Sequence, residues 1–341
     1  MLKWHTPIFL EEESFKIKHY MGLMTMGSCF SEHIKNKLSL GKFSVQSNPF
    51  GILYNPVSIA ASLERLLNLQ QVQPHDLFFH EGLYRHPEMH SSLAGIDRDE
   101  VAAHLNSVIQ SFHVSLLSAK VLIITTGTAY VHINKETGLI VGNNHKLPAS
   151  DFNRRMLTSD EIVATMSQTI QLLRLRNPEL HVIFTVSPIR HLKDGMVSNA
   201  HSKAILLDAA HRLQNQLENT SYFPAFEIMM DDLREYRFYE QDLVHPNQIA
   251  IDYIWEKFQS VYFDDSERKM MDEFLSIRQA MQHRLLHPES IESKLFRAAQ
   301  YQKLTQLKAT YPDLNWEEEL DYFNDHSSED SSSSSSGSGS N

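Results

Sequence analysis

Leu23-Met24-Thr25-Met26-Gly27-Ser28-Cys29-Phe30-Ser31-Glu32-His33-Ile34 carries an apolar run straight into a helical pattern, with Gly27-Ser28 at the join. A short continuous apolar run that ends in glycine reads as a strand buried on both faces. A hydroxyl placed there, with a helix N-terminus behind it, stands where α/β folds hold nucleophiles. Three further runs repeat the pattern: Phe43 to Gln46, Val121 to Thr125 and Val182 to Val186, and a fifth strand is predicted across Tyr222 to Ile228.

Between these runs lie helical patterns at Ser31 to Leu40, Val57 to Leu69, Asp99 to Leu117, Ser159 to Arg176, Ser198 to Glu218 and Pro246 to Phe258. Strands alternating with helices imply right-handed crossovers and a parallel sheet covered on both faces. Ligands then bind beyond the carboxyl ends of the strands. This singles out Gly27-Ser28, Asn48-Pro49-Phe50-Gly51, Thr126-Gly127-Thr128-Ala129-Tyr130 and Ser187-Pro188-Ile189-Arg190-His191. The long insertions Phe78 to Gly95 and Asn134 to Phe152 supply candidate walls.

The chain has 341 residues, 42% hydrophobic and 21% charged, with a net charge of -11. That acidity, without clustered Lys and Arg, argues against a nucleic-acid partner. No stretch is long enough to span a bilayer, no signal-peptide pattern opens the chain, and one cysteine, Cys29, fits a reducing compartment, so a cytoplasmic protein is expected. The 19 histidines are scattered; His80, His86 and His90 come closest to a ligand cluster, and loop histidines are the plainer reading, so neither metal nor cofactor is expected. The sequence divides into residues 1–263 as an α/β domain, 264–326 as a helical extension (Glu267 to Ala280, Glu289 to Thr310), and 327–341 as a Ser/Gly-rich tail expected to be disordered.

Ser28 needs a base, and Asp242-Leu243-Val244-His245-Pro246 offers one with its orienting acid three residues away. The plain alternative makes Asp242 an N-cap or turn residue and His245 incidental. Cys29 competes with Ser28, since a thiol is the better nucleophile and a helix N-terminus lowers its pKa. Ser28 directly follows glycine at the strand end, so it is the expected nucleophile, with Cys29 packed beneath it. His145-Lys146 and Arg190-His191 are candidates to grip an anionic or hydroxyl-rich substrate, or to tie loops by salt bridges. Asp232, Arg234 and Arg237 read as a buried structural network, and Tyr54, Tyr130 and Tyr239 as pocket lining or core.

Taken together, Gly27-Ser28-Cys29-Phe30, Asn48-Pro49-Phe50-Gly51-Ile52-Leu53-Tyr54-Asn55-Pro56, Gly127-Thr128-Ala129-Tyr130, Asn143-Asn144-His145-Lys146-Leu147-Pro148, Val186-Ser187-Pro188-Ile189-Arg190-His191 and Asp232-Leu233-Arg234 resemble the GSCFA-domain family. That family in turn resembles the SGNH/GDSL hydrolases. The resemblance runs from about Ile8 to Phe258 and implies a flavodoxin-like three-layer α/β/α sandwich with a parallel five-stranded sheet. It also implies Ser28, His245 and Asp242 as a triad acting on an ester through an acyl-enzyme. Ser28 and Gly51 match two oxyanion donors of the wider superfamily. The third, an asparagine, is missing from Gly127-Thr128-Ala129-Tyr130, and Asn143, Asn48 and Thr128 are the candidate replacements. The expected function is a serine esterase for a small or carbohydrate-like O-acyl or O-acetyl substrate; acyl transfer and a non-catalytic ligand-binding module on the same scaffold are the alternatives.

Overall fold

The structure, a computed structural model, describes residues 6–328, with side chains through residue 323. In chain order its first elements are β1 (Leu23–Gly27), α1 (Cys29–Leu40), β2 (Val45–Ser47), α2 (Pro56–Leu67), β3 (Phe78–His80), β4 (Leu83–Arg85), α3 (Arg98–Ser118) and β5 (Val121–Thr126). Then come β6 (Tyr130–Asn134), β7 (Ile140–Val141), β8 (Phe152–Met156), α4 (Ser159–Arg174), β9 (His181–Val186), α5 (Met196–Gln216), β10 (Thr220–Phe223), α6 (Ala225–Glu227) and α7 (Gln248–Tyr262).

The main sheet is parallel with the order β10-β9-β5-β1-β2, the flavodoxin-like arrangement the sequence implies. Its three central strands are buried at every position, which is why they read as continuous apolar runs. On one face Met24, Met26, Leu122, Ile124, Val182 and Phe184 pack with residues of α2, α3, α4 and α5. Separately, Phe223 meets Phe258 and Tyr262 of α7 in a buried aromatic group, and at the surface Lys37 of α1 pairs with Asp252 of α7.

Local signals set the helix starts. Asn55 caps α2, its Oδ1 accepting the Ser58 N–H at 2.8 Å, and Thr158 with Glu161 forms a capping box at α4. Such caps contribute about 1 kcal/mol each. The strand predicted over Tyr222 to Ile228 ends at Phe223; Pro224 removes a ladder donor, and residues 225–232 turn into α6 and a five-residue π-helix. The two insertions form small sheets, β3 against β4 and β7-β6-β8.

The chain divides into two compact units, one of residues up to Ser39 with Phe43–Asp264, the other of Leu40–Lys42 with residues from 265 onward. The second contains α8 (Asp265–Gln282), α9 (Ile291–Thr310) and α10 (Glu317–Ser328), packed around Phe274, Ile277, Leu304, Trp316 and Phe323. α10 has no counterpart in the sequence reading, and it takes in residues 327 and 328 of the supposed tail; the remainder, 329–341, lies outside the described residues. Among the described residues no helix is long and apolar enough to cross a membrane.

Candidate active site

In the strand order, β1 and β5 are neighbours whose crossovers leave in opposite directions, so their carboxyl ends frame a crevice. Gly27 closes β1 with φ of +127°, and a Cβ there would lie 2.0 Å from the Thr125 carbonyl oxygen. Only glycine lets β1 lie this close to β5. Beyond it, the Ser28 N–H donates to Thr125 O at 3.0 Å and extends the ladder by one residue. Asn48, at φ of 42°, accepts the Gly27 N–H at 2.8 Å on Oδ1 and donates through Nδ2 to Ser31 and Glu32.

This wiring decides how residues 28 and 29 are presented. Ser28 is wholly buried; its Oγ makes one weak contact, accepting the Phe30 N–H at 3.4 Å, and its carbonyl accepts from Ser31. Cys29, the first residue of α1, is partly exposed. The expected arrangement, Ser28 outward with Cys29 packed beneath it, is therefore inverted. Burial raises the Cys29 thiol above its ordinary pKa, while the backbone N–H groups of Cys29 and Phe30 and the charge of Lys203 pull it back.

The dyad is formed by its own turn. Asp242 Oδ1 accepts the N–H groups of Val244 and His245, each at 2.9 Å, and Oδ2 meets His245 Nδ1 at 2.5 Å. These contacts, the His245 N–H first, hold the Asp242 carboxyl at about 2. Leu243 takes φ of 59° to close the turn, and the Glu240 N–H donates to His245 O at 2.8 Å. Asp242 is not an N-cap; α7 starts later, capped by Asn247. Nδ1 is thereby fixed by the carboxylate, and Nε2 carries no hydrogen bond among the described residues. No hydrogen bond joins Ser28 Oγ to His245 among them either.

Several other expected site residues are structural. The Gly51 N–H donates to Asn48 O at 2.8 Å and the Ser28 N–H is held by Thr125, so neither amide is free to serve as an oxyanion donor. Asn48 spends its carboxamide on the turn. Thr128 Oγ1 is shared between Ser202 Oγ at 3.2 Å and the Tyr130 N–H at 3.1 Å. His145 is buried, contacting His86 O at 2.9 Å and Ser91 Oγ at 3.1 Å, so it ties the two insertions together. Arg190 donates to Tyr239 OH at 3.0 Å, linking the loop after β9 to the segment that carries the dyad. Asn143 alone keeps spare capacity: its Oδ1 accepts the His145 N–H at 2.7 Å, and it lines a cavity of about 270 Å³. Asp232 is buried and bonded to the Ile8 N–H and Tyr253 OH, whereas Arg234 and Arg237 are exposed rather than part of that network.

Tyr54 and His191, both candidates from the sequence, face Gly127, where an added Cβ would lie 3.1 Å from Tyr54 Cδ1 and 3.3 Å from His191 Nε2. The neighbour the sequence did not single out is Lys203. Lys203 of α5 is fully buried, donates to Ser187 O at 2.8 Å, and has its pKa lowered to about 7 by burial. Its signal lies in the periodicity: Asn199, Lys203, Leu206, Ala210 and Leu213 form the buried stripe of α5, an odd place for a lysine. No group of three or more His, Cys, Asp or Glu able to hold a metal occurs among the described residues.

Comparison with known families matches residues 22–258 to the GSCFA family and residues 274–327 to the C-terminal domain of GSCFA domain proteins. No curated protein matches the chain.

Proposed function

The chain belongs to the GSCFA family, and from that premise we propose that it is an acyl hydrolase whose nucleophile stands at the β1–α1 junction and whose base is His245 held by Asp242. The observation that carries this reading is the 2.5 Å contact of His245 Nδ1 with Asp242 Oδ2, backed by two amides on Oδ1. A carboxylate so fixed orients the imidazole and stabilises its cation, leaving Nε2 to move a proton. Nothing in a plain turn requires both carboxylate oxygens to be spent this way.

Exposure favours Cys29 as the attacking residue. In the proposed reaction His245 Nε2 takes the thiol proton, the thiolate adds to the ester carbonyl, and the alcohol leaves with the proton from the imidazolium. Water then attacks the thioester with His245 again as base, releasing the acid and restoring the thiol. The Cys29 N–H, at the N-terminus of α1, suits the developing oxyanion. An amine or alcohol in place of water turns the same steps into acyl transfer.

The serine version of this proposal requires the Ser28 hydroxyl to leave its buried position. Hydrolysis of 4-nitrophenyl acetate separates the two: loss of activity in Cys29→Ala with survival in Ser28→Ala supports the thiol, the reverse supports the serine, and activity untouched in both and in His245→Ala ends the hydrolase reading. A small ester is the proposed substrate. The cytoplasm, which keeps a lone thiol reduced, is the proposed location.

A further inference from the structure

The cavity of about 270 Å³ is bounded on the strand-end side by Tyr54, Thr128 and His191, of which Tyr54 lies within electrostatic reach of Cys29 and His191 within that of His245. Its far side carries Arg154 from β8 and Lys193 and Asp194 from the loop after β9. Asp194 is the one carboxylate among the lining residues, and it is bound to Arg154, whose guanidinium also lies 3.5 Å from the centroid of the Tyr130 ring. Lys193 remains without a counterion among the described residues.

Two histidines on the wall report the field there. Beyond the effect of burial, Arg154 and Lys193 push His132 toward its neutral form against Asp194 alone, and Lys203, His245 and Arg154 do the same to His191. A larger cavity of about 640 Å³, lined by Asp76, Glu88, Glu136 and Asp151 against the single cation Lys135, has the opposite character. In a chain of net charge -11, a pocket with Arg154 and Lys193 against one carboxylate is a local exception that selects for negative charge.

We propose that this cavity binds an anionic group, a carboxylate or a phosphate, on the acyl substrate, with Lys193 as its main counterion and Arg154 as the second. The inference rests on the acyl-transfer reading of the adjoining turn. Arg154, already oriented by Tyr130 and Asp194, presents its fork without further loss of rotamer freedom. The Asn143 amide and the rings of Tyr54 and Tyr130 complete a surface suited to a small polar acid rather than a long alkyl chain.

Calorimetric titration of the full chain with monomethyl succinate, methyl phosphonoacetate and the neutral methyl butyrate tests this. At least one anionic ester is expected to bind about tenfold tighter than methyl butyrate, and which one does so names carboxylate or phosphate. Lys193→Gln, an exposed and structurally mild change, is expected to remove most of that preference while leaving methyl butyrate unaffected. Equal binding of charged and neutral esters, no measurable binding of either anion, or a preference that survives both Lys193→Gln and Arg154→Gln overturns the proposal. Turnover of the same esters is followed in parallel. Anion-selective binding without cleavage ends the acyl-transfer reading and spares the cavity, whereas cleavage of methyl butyrate without anion preference does the reverse.

Discussion

Ser28 and Cys29 are adjacent in the chain and opposite in exposure: Ser28 is wholly buried, with its N–H bonded to Thr125 O of β5, and Cys29 is partly open at the first turn of α1. Because burial raises the Cys29 thiol, its alkylation by iodoacetamide is expected to be slower at neutral pH than that of a free cysteine, rising through a midpoint above the ordinary thiol value. A rate profile with a midpoint below that value contradicts the electrostatics described for this turn. Ser28→Ala, which loses one weak hydrogen bond, is expected to lower stability by less than about 1 kcal/mol in denaturant unfolding.

Asp242→Asn is expected to reduce kcat for an aryl ester by roughly 10²–10⁴-fold with little change in melting temperature, since the turn is half exposed. Asp242, held at about 2 in the native protein, stays ionised across the ordinary assay range, so its own protonation does not shape the rate profile there. An unchanged kcat would show that the 2.5 Å contact is structural only.

Lys203 gives a pH signature of its own. The folded chain holds this proton with a pKa of about 7 against an ordinary 10.5, so between those values the unfolded chain binds the extra proton and stability rises with pH. Below about 7 both states are protonated and the dependence flattens. Lys203→Met is expected to be more stable than the native chain at pH 7, with the difference shrinking toward pH 10 by a few kcal/mol. Parallel stability curves for the two proteins contradict this.

Gly27→Ala places a Cβ 2.0 Å from Thr125 O at a φ of +127°. With β1 and β5 both buried, neither strand has room to yield, and a loss of roughly 3–5 kcal/mol is expected, read as a fall of about 10 °C in Tm. A Tm within a degree or two of the native value means that the two strands are less closely apposed.

The sheet was legible because β1, β5 and β9 are buried on both faces, which writes them as unbroken apolar runs. The fifth strand was read too long because Ala225, Phe226 and Ile228 are also apolar, and periodicity over so few residues does not separate a strand from a helical turn. At the site, Asp242 and His245 were visible through their spacing within one turn. Which of Ser28 and Cys29 faces outward was not, because it depends on the Ser28 N–H joining the ladder to Thr125, a pairing between segments far apart in the chain. Gly51, Asn48 and His145 misled for the same reason: their hydrogen bonds are spent on partners that only the folded turn and insertions bring near.

The most direct measurement is mass-spectrometric mapping of the acyl-enzyme trapped by rapid acid quench after mixing with 4-nitrophenyl acetate. The account expects the acetyl group on Cys29 in the native chain and its accumulation to slow sharply in His245→Ala. Acetyl on Ser28, or an acylation rate indifferent to His245, contradicts it.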